Sequence, residues 1–313
     1  MCRFAAIVPV LALLAACGGH DGSEAPMVPV DSPLPLPAAG GSRWAALERD
    51  DDGDGLAEQI TRYEYDALGR RILQTTWRAE DGIPAAEPVE VQGWTYDSAS
   101  RLLTHTVRDT RGERQATATY AADGLLASTQ LRWAGSTAVR TTTITWQGLR
   151  MVGTLTDDMQ PLTERAFYGS DGLVERVERR FGDDEGIDVD RYQWRPDAQL
   201  SASSASLSVG NLILHALSYD ADGRITRSTK TDDGIPDEVR QFAHDDRGRL
   251  QRIEVDSRPS SFAPEDFAAD MVYRIRWESG VCQPTYRAEL PPHFDRQVTM
   301  QAKPDGTTLG CAP

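Results

Sequence analysis

The chain has 313 residues and carries 48 acidic against 33 basic side chains, a formal charge of −15. A balance this acidic repels phosphate backbones and anionic head groups, which excludes nucleic acid as a partner and argues against peripheral docking on an acidic membrane surface. Calcium or a basic partner fits it better.

Taken in chain order, residues 1–16 come first. Arg3 supplies a short positive region, and the apolar run from Phe4 to Ala16 is too short to span a bilayer. The run ends in Leu14-Ala15-Ala16-Cys17, which resembles the lipobox of bacterial lipoproteins. The resemblance implies that residues 1–16 are a signal peptide and that Cys17 is lipidated as the mature N-terminus, a membrane anchor and not a ligand. An ordinary secretory signal cut nearby is the alternative. Gly18 stands where an Asp would imply inner-membrane retention, so the expected place is the bacterial cell envelope, as an outer membrane lipoprotein of unassigned orientation. Residues 17–42 are rich in Pro, Gly and Ser without apolar periodicity and read as a semi-extended tether.

From residue 43 the sequence repeats. Aligned on an aromatic before a turn, the copies are YDALGRR at Tyr65, YDSASRL at Tyr96, YAADGLL at Tyr120, YGSDGLV at Tyr168, YDADGRI at Tyr219 and HDDRGRL at His244. Weaker copies lie at Trp146 and Trp194, and the steps run from 22 residues (Trp146 to Tyr168) to 31 (Tyr65 to Tyr96). Before the anchor, Thr61-Arg62-Tyr63-Glu64-Tyr65 alternates as a strand with one buried face, Tyr63 and Tyr65 inward, Arg62 and Glu64 outward. After it, Asp and then Gly supply a side-chain acceptor and a residue able to take positive φ, so the chain reverses. An apolar residue then begins the return strand.

These turns resemble the YD repeats of the RHS family, most closely at Tyr219-Asp220-Gly223-Arg224-Ile225 and Tyr65-Asp66-Gly69-Arg70. The glycine is lost at Ser100, and the motif is eroded at Trp146 and Trp194. The resemblance implies an all-β chain in which tandem antiparallel β-hairpin repeats of about 25 residues form a curled, extended sheet. An incomplete or closed β-barrel is the alternative. Eight or nine hairpins are too few to enclose a protein cargo, and neither the core-cleavage motif nor a toxin domain is recognised after them, so the sheet is expected without the cargo. A membrane-spanning barrel is disfavoured, because the outward positions carry Arg, Glu, Gln and Thr. The expected division is a repeat domain over 43–257 and a C-terminal cap over 258–313.

One loop carries chemistry of its own. Asp50, Asp52 and Asp54 alternate, Gly55 follows, and Glu58 stands three further on, a spacing in which oxygen ligands can wrap a calcium ion. The twelfth position is Thr61 and not a bidentate Glu, so this is no full EF-hand, and a solvated acidic linker is the competing reading. The sister loops Glu80–Pro84, Asp183–Asp188 and Asp232–Asp237 keep the acid-Gly-apolar turn without three alternating aspartates. In the tail, Cys282 and Cys311 are expected to form a disulfide in an oxidising envelope, with two free thiols as the alternative.

The five histidines are scattered, none in metal-ligand spacing or in a nucleophile-elbow context, and the carboxylates fall where turns already explain them. The expectation is therefore a non-enzymatic scaffold that binds a glycan or protein. A structural or assembly component of an envelope or secretion complex is the alternative, and a hydrolase using loop carboxylates ranks last.

Overall fold

The structure, a computed structural model, describes residues 42–280 apart from 149, 159, 183–185, 197–198 and 209, together with 311–312. In chain order the first strands are β1 (Ser42–Asp50), β2 (Gln59–Tyr65), β3 (Arg71–Glu80), β4 (Ile83–Pro84), β5 (Glu90–Tyr96), β6 (Leu102–Asp109) and β7 (Gly112–Tyr120). They are followed by β8 (Leu126–Trp133), β9 (Val139–Gln147), β10 (Arg150–Asp157), β11 (Leu162–Tyr168), β12 (Val174–Phe181), β13 (Asp188–Trp194) and β14 (Leu200–Ser206). The last are β15 (Leu212–Tyr219), β16 (Ile225–Asp232), β17 (Ile235–His244), β18 (Leu250–Asp256), β19 (Met271–Ser279) and β20 (Cys311–Ala312).

Consecutive strands pair antiparallel, β4 standing aside as a short flap on β3. β1 lies between β2 and β19, so the wall closes into a barrel of 18 strands. The sheet curls as the repeats imply, and of the geometries open to it the closed barrel forms. Closure removes the free edges that a curled open sheet would leave unpaired.

Eighteen strands make nine hairpins, and the ninth is split between the two ends of the chain. β19 runs up, and β1, more than 200 residues earlier, serves as its return strand. Trp277 pairs with Trp44 and Arg276 with Ala46, skipping Ala45. The same one-residue slip occurs beside Tyr65, Tyr96 and Tyr219, so the split hairpin repeats the geometry of the continuous ones. The region 258–313, expected as a cap, thus contributes β19 to the wall, while β20 pairs with Ser42 and Arg43.

The repeat motif now has a physical reason at each position. The anchor aromatic donates a hydrogen bond to the main chain of the preceding hairpin, at the residue that pairs with that hairpin's own anchor. Tyr65 donates to the carbonyl of Trp44 (3.0 Å), Tyr96 to Arg71 (2.7 Å), Tyr120 to Leu102 (2.8 Å) and Trp146 to Leu126 (2.8 Å). Tyr168 donates to Met151 (2.6 Å), Trp194 to Val174 (2.7 Å), Tyr219 to Leu200 (2.7 Å) and Trp277 to Leu250 (2.8 Å). These bonds cross the joints between hairpins, where ladders such as β3–β5 and β12–β13 have four paired residues against seven in β2–β3.

The motif Asp accepts from backbone amides and from the Arg four residues on. Asp66 takes Leu68 N and Arg70 N, both at 2.9 Å, and Arg70 Nε at 2.6 Å; Asp97, Asp220 and Asp245 do the same in their turns. That Arg then lies over the next anchor, Arg70 4.7 Å from Tyr96 and Arg101 4.7 Å from Tyr120.

The inward face is apolar near the motif turns and polar toward the connectors. Two apolar clusters, one around Trp94, Leu102 and Ala116, the other around Ile144, Met151, Val174 and Val177, run along consecutive strands. Nearer the connectors Thr61 of β2 meets Thr76 of β3 (3.0 Å) and Thr154 of β10 meets Glu164 of β11 (2.8 Å). The outward positions Arg62, Glu64, Arg165 and Arg191 are exposed.

Candidate binding site at the connector end of the lumen

The strands β2, β3 and β5 place Gln59, Thr61, Gln74, Thr76 and Glu90 on one inward patch, because alternate residues of a strand share a face. The β6–β7 turn brings Asp109, Thr110 and Arg111 against them, and Val89 adds the one apolar side chain. Together they line an open cleft of about 410 Å³. Its walls are amides, hydroxyls, carboxylates and a guanidinium, which can donate to and accept from a hydroxyl-rich ligand.

The polar groups behind the cleft form a chain. Gln92 donates its amide to Glu90 (2.7 Å), and its carbonyl oxygen lies 2.9 Å from His105 Nε2. The His105 ring stacks on Trp94 at 5.0 Å and an interplanar angle of 5°. Asp109 is bonded by Arg114 (2.7 Å) and Arg111 (3.0 Å), which hold its carboxyl well below the usual carboxylate range. A carboxylate held ionised in this way is a hydrogen-bond acceptor.

Trp77, Trp94 and Trp133 do not form one platform. Trp94 is 4% exposed beneath His105 and Arg71. Trp133 is 36% exposed with Arg140 over its ring, and Trp77 lies on the outward face under Arg62. The cleft therefore offers hydrogen-bonding groups and no aromatic platform.

The calcium candidates lie on the other side of the wall, in the connector between β1 and β2. Ligand oxygens of Asp50, Asp52 and Glu58 fall within 4.8 Å of one another, and Asp54 is not part of that group. Asp54 instead caps Leu56 N at 2.7 Å. Asp50, fully buried, accepts from Gly53 N (2.6 Å), Gly55 N (3.0 Å) and Arg274 (2.7 Å). Burial alone raises its pKa, but the Arg274 bond and the two amides outweigh burial and hold the carboxyl below its ordinary value. Glu58 accepts from Asp51 N (2.5 Å) and Asp52 from Asp54 N (3.1 Å). The three carboxylates suit a hard cation in type and spacing, yet each already has an internal donor, so the loop is closed without one.

Cys17 and Cys282 lie outside the described residues, as do residues 183–185 of the sister loop Asp183–Asp188. Cys311 begins β20 beside Arg43.

No protein-family model matches this sequence, and no curated protein does. Among solved structures, the chain is similar to the crystal structure of TcdB2-TccC3-Cdc42 at 16% identity and a TM-score of 0.41, over 70% of this chain and 12% of that one. The crystal structure of TcdB2-TccC3 gives 17% and 0.39 over the same shares. A porin-like protein from Bacteroides uniformis gives 11% and 0.42, over 75% of this chain and 98% of that one. This chain thus spans about an eighth of the TcdB2-TccC3 chains and nearly the whole of the porin-like one, and the likeness is one of β-rich fold.

Proposed function

We propose that this chain is a non-enzymatic β-barrel scaffold of the bacterial cell envelope, tethered through a lipidated Cys17, that binds a glycan at the connector end of its lumen. The observation that carries the reading is the cleft itself: about 410 Å³, lined by Thr61, Thr76, Gln59, Gln74, Glu90, Asp109 and Arg111, with a single apolar side chain in its walls. A sugar ring presents hydroxyls in several directions, and these groups supply both donors and acceptors to meet them. The test is calorimetric titration of the full chain with a panel of neutral and acidic oligosaccharides, repeated with Gln74→Leu and Thr76→Val. Saturable binding that both substitutions weaken supports the reading. Absence of binding across the panel overturns it in favour of a purely structural or assembly role.

Calcium belongs to the same proposal as a stabiliser of the β1–β2 connector, held by Asp50, Asp52 and Glu58. It is tested by thermal unfolding with and without calcium, for the native chain and for Asp52→Ala. A calcium-dependent rise in Tm that Asp52→Ala removes is the expected result, and an unchanged Tm in the native chain refutes it.

A further inference from the structure

Arg71 breaks the pattern of its own repeat. The residue that pairs with the anchor aromatic is aliphatic at Leu102, Leu126, Val174, Leu200 and Leu250, and only in the first hairpin is it an arginine among these equivalents. It faces inward and is 6% exposed. Its guanidinium lies 4.7 Å from the Tyr63 ring and 5.5 Å from the Trp94 ring, and its side-chain hydrogen bonds go to neutral partners, Gln74 Oε1 at a long 3.4 Å and the Tyr65 side chain. Nε has no acceptor, and among the described residues no carboxylate forms an ion pair with it.

Two half-buried guanidinium groups elsewhere in the wall are held by carboxylates. Arg179 bonds Glu164 (3.0 Å) and also Asp190. Arg70, the neighbour of Arg71 in sequence, is held by Asp66. A buried cation without a counter-charge is costly, and aromatic faces offset only part of that cost. Where a repeat departs from its own rule at a loss in stability, a site is the usual reason. Gln74 supplies the connection, since it touches Arg71 and also lines the cleft.

We propose that Arg71 is the counter-charge for a carboxylate on the ligand, so that the glycan bound at the connector end of the lumen is an acidic one of the uronate class. The inference rests on the lumen-binding reading and adds the anionic group to it. The planar guanidinium matches a carboxylate, and the cleft's amides and hydroxyls take the ring hydroxyls. The acidic chain as a whole repels anions, so selection of this ligand depends on the local cation and not on the long-range field.

The test titrates the full chain with a short oligogalacturonate and with the corresponding neutral oligogalactose, in the native protein and in Arg71→Leu, and records Tm for both. The substitution restores the aliphatic residue that the other hairpins carry. Expected are a preference of the native protein for the acid probe of at least about tenfold, loss of that preference in R71L, and a Tm that is unchanged or raised. Equal binding of both probes, or a preference that R71L retains, overturns the role of Arg71 while leaving the lumen reading intact. A fall in Tm in R71L also overturns it, since Arg71 is then a structural residue stacked on Tyr63 and Trp94. Failure of both probes to bind overturns the acidic-glycan reading, and absence of binding across the whole oligosaccharide panel overturns the lumen reading with it.

Discussion

At the tyrosine anchors a single phenol does two jobs, filling the apolar belt with its ring and joining two hairpins with its hydroxyl. Tyr96→Phe keeps the ring and removes the bond to the Arg71 carbonyl, which then lacks that donor at a short joint. The expected loss is about 1–2 kcal/mol in urea unfolding, because an unmade buried hydrogen bond costs more than a made one contributes. The same burial sets a limit at high pH. Burial pushes Tyr63 up to about 12 and Tyr168 up to about 12, from an ordinary value of 10.0, and raises Tyr65 and Tyr96 for the same reason. A folded-state pKa above the unfolded one contributes stability that is complete below the unfolded value and disappears as pH rises through the folded one. Stability should therefore hold up to about pH 10 and fall steeply between about 10 and 12, with phenolate absorbance and loss of strand circular dichroism rising together. Phenolate formation that runs ahead of unfolding would show that these hydroxyls are reached by solvent without opening the wall.

At the scale of the hairpin, the turns test whether the motif Gly is a matter of backbone conformation. Ser100 takes the place of that Gly and is held at φ 63, where an L side chain is strained, with only a 3.3 Å contact from Arg70 to its hydroxyl. Ser100→Gly should stabilise the protein by about 0.5–1 kcal/mol. Gly223→Ala should do the reverse and cost about 1–2 kcal/mol, since Gly223 sits at φ 78 and a Cβ there would meet Gln199 Nε2 at 2.9 Å. Opposite signs in chemical denaturation confirm the account, and a stabilising Gly223→Ala refutes it. The hairpins were legible in the sequence because their determinants are local: Tyr alternates with charges, Asp caps, Gly turns. The reach of Arg70 onto Tyr96 was not, since it joins residues of different repeats whose adjacency the spacing alone does not reveal. The metal candidates were half legible. Spacing grouped Asp50, Asp52, Asp54 and Glu58, whereas the loop turns Asp54 away and Arg274, distant in sequence, occupies Asp50. Arg71 did leave a signal, an arginine six residues after Tyr65 where its sister repeats have aliphatics.

At the scale of the whole barrel, closure depends on one joint made by strands from opposite ends of the described chain. Trp277 escaped notice as a ninth anchor because the turn that should follow it is missing; its return strand is β1. The joint carries Trp277 against Trp44, edge to face at 6.3 Å, and ion pairs of Arg43 with Glu278 (2.7 Å), Arg276 with Glu48 (2.6 Å) and Arg274 with Asp50 (2.7 Å). Trp194 has the same repeat position and the same carbonyl bond but belongs to a continuous hairpin, β13–β14. Both Trp277→Ala and Trp194→Ala should cost about 3–5 kcal/mol, as large aromatic deletions in packed sites do. Their consequences should nevertheless differ. A weakened mid-wall hairpin stays registered by its own turn, whereas the split hairpin has no turn, so its loosening frees the edges of β1 and β19 for pairing with another copy. Native-state hydrogen exchange should show protection lost first in β1 and β19 for Trp277→Ala, with concentration-dependent oligomers by light scattering, and neither effect for Trp194→Ala. If both variants open at the same strands, or both remain monomeric with β1 protected, the ends of the chain are not what holds the barrel shut, and the shape must be set instead by the curvature accumulated over the eight continuous hairpins.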